Sequence, residues 1–74
     1  IMDKNVFINV LAGKNYRVVL YENKDDIRRG IPLRILLEWV TYNDAINYYV
    51  NSQGWLNYTF LQKYNTNGWE LIAW

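Results

Sequence analysis

Cysteine and histidine are both missing from the 74 residues of this chain. Without cysteine there is no disulfide to staple a short chain, and without either residue zinc and copper lose their two best ligands. A nucleophilic triad also loses its usual base. Proline occurs once and glycine four times, and the glycines stand alone, so no glycine-rich phosphate loop is present. Charge of one sign is equally scarce. Eight Lys and Arg face seven Asp and Glu, for a net charge of +1, and no global field draws the chain to a polyanion or a membrane. No apolar run approaches the roughly 20 residues that span a bilayer, and no basic segment leads into an apolar, cleavable one. A cytoplasmic location is the expectation. Asp25-Asp26 is the one adjacent carboxylate pair, and it sits in a charged stretch where solvation is its ordinary role. The expectation is therefore a non-catalytic protein with no metal and no cofactor.

What the chain has in quantity is aromatic rings. Four Trp, seven Tyr and two Phe make up 18% of it. Each large ring buries about 150–250 Å², and this is how a short chain without staples builds a core. At this length the expectation is one domain, residues 1–74. Rings in excess of what one helix and one sheet can hide would form a contact surface.

The periodicities predict an α+β domain. Asn5–Leu11 is read as a strand with Val6, Ile8 and Val10 on one side. Ala12-Gly13-Lys14-Asn15 is read as a turn, and Tyr16–Tyr21 as the returning strand of an N-terminal hairpin. Glu22–Gly30 is polar and reads as a loop with room for one helical turn. Leu33–Val40 is read as a strand entered through Pro32, with a helix from Pro32 as the rival reading. Thr41 begins the clearest helix. Its hydroxyl can cap the amide of Asp44, and Tyr42, Ala45, Ile46, Tyr49, Val50 and Gln53 share a stripe that runs toward Gly54. Trp55–Tyr64 and Trp69–Trp74 form a C-terminal hairpin around Asn67-Gly68. Pairing Tyr64 with Trp69, which sets Lys63 opposite Glu70, and pairing Thr66 with Trp69 leave the same two faces. One carries Tyr58, Phe60, Tyr64, Trp69, Leu71 and Ala73. The other carries Thr59, Leu61, Lys63, Glu70, Ile72 and Trp74. The expected architecture is an antiparallel sheet of four or five strands, with N-terminal and C-terminal hairpins and one main helix packed on one face. Tyr49, Val50, Ile46, Tyr58, Phe60 and Leu71 are the expected core.

Tyr16-Arg17-Val18-Val19 and Gly68-Trp69-Glu70-Leu71-Ile72 together resemble the small uncharacterised bacterial and phage domains that carry a Tyr-x-Val-Val strand, a helix, and Gly-Trp-Glu-Leu entering a strand. The resemblance implies a ββαββ order over Tyr16 to Trp74 and brings no function with it.

One helix covers one face of a sheet, so the second face is the candidate contact surface. Its expected residues are Trp55, Leu61, Ile72 and Trp74, flanked by Arg28 and Arg29. The functional expectation is a protein-binding module that self-associates or, in a phage or bacterial setting, inhibits or regulates a host protein. The alternative is a single-stranded nucleic-acid binder, with sheet aromatics stacking bases beside a basic cluster of Lys24, Arg28, Arg29 and Arg34. Asp25 and Asp26 interrupt that basic cluster and weaken the alternative.

Overall fold

The computed structural model describes residues 4–52 and 58–73. The elements run α1 (Lys4–Leu11), β1 (Tyr16–Leu20), α2 (Lys24–Arg29), β2 (Arg34–Val40), α3 (Tyr42–Ser52), β3 (Thr59–Asn65) and β4 (Gly68–Ala73). The strands form one sheet in the order β2-β1-β3-β4, and every neighbouring pair is antiparallel. The α+β class, the four-stranded sheet and the main helix against it are as the periodicities predict. Leu33–Val40 resolves to a strand, β2.

The N-terminal hairpin does not form. Asn5–Leu11 lies in helix α1, because β1 already has β2 on one edge and β3 on the other and leaves no edge for a fifth strand. Gly13 serves the helix instead of a hairpin. At φ +75° its amide donates to the Val10 carbonyl while the Lys14 amide donates to Asn9, the bond pair that closes a helix through a left-handed residue. A glycine at positive φ suits either turn, so the residue type did not discriminate between them. Glu22–Gly30 is more ordered than a loop. Asn23 caps α2 by accepting from the Asp26 amide at 2.9 Å, and Gly30 closes it at φ +70°.

Thr41 caps α3 as expected: the Asp44 amide donates to its Oγ1 at 3.3 Å. Ala45 and Tyr49 are buried and Ile46 is half-buried, against Val18 and Leu61 at the centre of the sheet. Val50, expected in the core, is exposed. At 3.6 residues per turn it stands about 100° around the helix from Tyr49, beyond the covered stripe.

Helix α3 joins β2 to β3, which run parallel on either side of β1. Such crossovers are almost always right-handed, so the chain's path decides which sheet face the helix covers. The covered face is that of Val18 and Leu61, which pair directly. Leu61, expected on a free contact surface, is fully buried there. The face of Phe60, Tyr64, Trp69 and Leu71 is the opposite one. Alternation along β3 and β4 could separate the two faces but could not say which lay under the helix. Phe60 is buried as expected, with Val19, Tyr21 and Ile27 of α2, whereas Tyr58 and Leu71 are exposed.

The C-terminal hairpin adopts the register Tyr64↔Trp69, Lys63↔Glu70 and Asn65↔Gly68. Lys63 and Glu70 do not meet as an ion pair: the Lys63 ammonium approaches the Tyr16 ring, and Glu70 accepts from Asn65 Nδ2 at 2.9 Å. A bulge in β4 leaves Ile72 without a partner between Leu71 and Ala73. Two further bulges bend β2, at Leu36 and at Trp39. Trp39 holds φ +57°, a left-handed conformation unusual for a bulky side chain.

Candidate functional site

The bulge at Trp39 changes where its side chain goes. In an unbroken strand Trp39 would follow Glu38 onto the opposite face. Instead its ring joins those of Tyr64 and Trp69, with centroids 5.4 and 5.1 Å away, and Tyr64 and Trp69 stand 5.2 Å apart. Rings from the two edge strands thus touch. Neighbouring strands lie about 4.8 Å apart, so the two edges of a four-stranded sheet stand roughly 14 Å from each other, a gap that two large rings reaching toward one another close.

Beneath the ring cluster lies a buried polar row. Arg17 is 8% exposed, Gln62 7% and Tyr21 3%. Arg17 Nε donates to Gln62 Oε1 at 2.8 Å, and Gln62 Nε2 donates to the Tyr21 hydroxyl at 2.9 Å. Both ends of the Gln62 amide are committed, which fixes its orientation and that of its neighbours. The Arg17 guanidinium lies over the Trp69 ring, Cζ to centroid 4.1 Å. Glu38, directly opposite Arg17 in the register, holds Oε2 at 3.8 Å from Nη1, an ion pair beyond hydrogen-bond length. Burial lowers the Arg17 pKa from its ordinary value, and Tyr21 and Glu38 oppose that shift.

Beside this row opens a pocket of about 290 Å³. Arg17, Tyr21 and Gln62 form its polar end, while Phe60, Trp69 and Leu71 from the sheet and Ile27 from α2 form its apolar walls. A second feature lies apart from the sheet. Helix α1 buries none of its residues, and Phe7, Ile8 and Leu11 are 52%, 51% and 72% exposed. These three fall within about 100° of the helix circumference and form one outward apolar stripe, while Val6 and Val10 are half-buried on the inner side.

Comparison with protein-family models, with curated proteins and with solved structures finds no match.

The sequence-predicted contact residues do not converge. Leu61 is core, Ile72 is exposed at the β4 bulge, and Trp55 and Trp74 lie outside the described residues. Arg28 and Arg29 are exposed in the last turn of α2, and Arg28 pairs with Asp25. Arg34 pairs with Leu20 on the α3 side of the sheet, away from the ring cluster. Arg17, Tyr21, Gln62 and Trp39 escaped the sequence reading. A signal was available for one of them: Arg17 is the one polar residue of the strand Tyr16–Leu20, whereas Gln62 stands among the polar residues of Thr59–Asn65 and is marked only by its pairing with Arg17. No helix among the described residues is long and apolar enough to cross a membrane.

Proposed function

We propose that this domain is a non-catalytic protein-binding module that associates through α1, with a second copy of the chain as its partner. The observation that carries the reading is an eight-residue helix with five apolar residues and none buried. Isolated helices shorter than about 12–15 residues are marginal in water, and helices in proteins are held mainly by packing of an apolar face. Val6 and Val10 are half-buried, whereas Phe7, Ile8 and Leu11 are at least half exposed, and on this reading a contact from outside the subunit covers that outer stripe. Regulation of a different protein, in a bacterial or phage setting, is the same reading with another occupant on the same stripe.

Single-strand nucleic-acid binding needs free ring faces next to a basic track. Here the three rings pack tilted or edge-on against one another, and the Trp69 face carries the Arg17 guanidinium. Arg28 and Arg34 are engaged or placed elsewhere. No observation favours that second reading.

The test is solution mass by light scattering at two protein and two salt concentrations, on the wild type and on Leu11→Asp. The reading expects an assembly that grows with protein concentration, survives high salt, and is lost in the variant. A wild type that stays monomeric at every concentration refutes self-association.

A further inference from the structure

We propose that the pocket on the α2 side of the sheet binds a carboxylate carried on a small apolar group. This site is separate from the α1 stripe and does not depend on it. An arginine offers five N–H donors. One of those on Arg17 goes to Gln62, and Tyr21, whose hydroxyl favours the charged form, takes at most one more. Glu38 stands at 3.8 Å, beyond hydrogen-bond length, and no Arg17 nitrogen is both fully buried and unpartnered, so the remaining donors are open to the pocket that Arg17 lines. The Arg17 side chain is more than nine-tenths buried as a whole, so its open donors are held in place at the pocket, where a charged acceptor can replace water on them.

The chemistry of that acceptor follows from the lining. The guanidinium fork matches the two oxygens of a planar carboxylate, and stacking on Trp69 together with the Gln62 bond holds the fork in place before anything binds. Glu38 compensates part of the charge, which favours a monoanion over a phosphate dianion. Beyond Arg17, Tyr21 and Gln62 the lining side chains are Ile27, Phe60, Trp69 and Leu71, which suit an apolar remainder of the ligand. At about 290 Å³ the pocket sits at the lower end of ligand sites, the size of one aromatic or branched side chain with its acid. Such a group is either a free small acid or the C-terminal residue of a polypeptide.

Calorimetric titration of the full chain with 3-phenylpropionate and with its neutral amide tests the site. The expected result is at least a tenfold preference for the acid. Arg17→Gln should abolish the preference. Glu38→Gln should strengthen acid binding several-fold and leave the amide unchanged, and because Glu38 is partly exposed this variant keeps the test sharp even if Arg17→Gln fails to fold. A tetrapeptide ending in Phe with a free carboxylate identifies the source. Binding at least tenfold tighter than the free acid assigns the pocket to a chain terminus, and equal or weaker binding assigns it to a small acid. Equal affinity for acid and amide, no binding of acid or peptide at millimolar concentration, or weaker acid binding by Glu38→Gln would each overturn the proposal.

Discussion

Replacing Leu61 with Ala separates two accounts of this sheet. If Leu61 faced outward as a contact residue, the change would weaken association and leave the subunit intact. In the structure it is fully buried at the centre of the sheet, in one cluster with Val18, Ala45 and Tyr49. Strands β1 and β2 and helix α3 hold those neighbours in place, so little collapse into the vacated space is expected. Leu→Ala at such sites costs about 2–5 kcal/mol, and this one belongs in the upper half of that range. A single core in a domain of this size supplies only about 3–5 kcal/mol in total. With a urea slope near 1 kcal/mol/M, the midpoint should fall by about 3.5–5 M, which leaves the variant largely unfolded in buffer. Leu71→Ala, on the opposite face and 41% exposed, should cost about 1 kcal/mol or less. Urea titrations followed by circular dichroism measure both. A loss below about 1 kcal/mol at Leu61, or a larger loss at Leu71 than at Leu61, would refute the assignment of faces.

Three further outcomes check other parts of the structure. Gln62→Leu removes a bridge that satisfies both Arg17 and Tyr21 and should cost about 1–3 kcal/mol; in a double-mutant cycle with Arg17→Met the two losses should fall short of adding, and strict additivity in denaturant unfolding would contradict the coupled row. At Trp39 the left-handed backbone should make Asn at least as well tolerated as Val despite the greater hydrophobicity of Val, and a clearly more stable Val variant in thermal unfolding would contradict the bulge. Gly30→Ala meets open space but keeps positive φ, so a loss of about 1 kcal/mol is expected from backbone conformation alone, and an unchanged melting temperature would count against the α2 cap.

The sequence carried the local structure of the second half well. Thr41 before Asp44 marks the start of α3, and the Asn-Gly turn with Tyr64 opposite Trp69 marks the hairpin and its register. These signals are readable because each is completed by residues only a few positions apart. The N-terminal half depended on distant facts. Whether Asn5–Leu11 becomes strand or helix is decided by β3, some fifty residues later, taking the free edge of β1. The same remoteness explains Leu61. Both strand faces are apolar enough to be buried, and the route of the crossover through α3 selects between them. The polar row was hidden for another reason. Gln62 looks like an ordinary polar position until pairing sets it beside Arg17, and Trp39 joins Tyr64 and Trp69 on that face only because a bulge turns its side chain there.

Amide hydrogen exchange along residues 8–11, measured across a range of protein concentrations, tests the proposed contact at α1. Protection should rise with concentration in the wild type and stay low in Leu11→Asp, while the amides of β1 and β3 remain protected throughout. Protection of α1 that is already high in dilute monomer and does not change with concentration would contradict it.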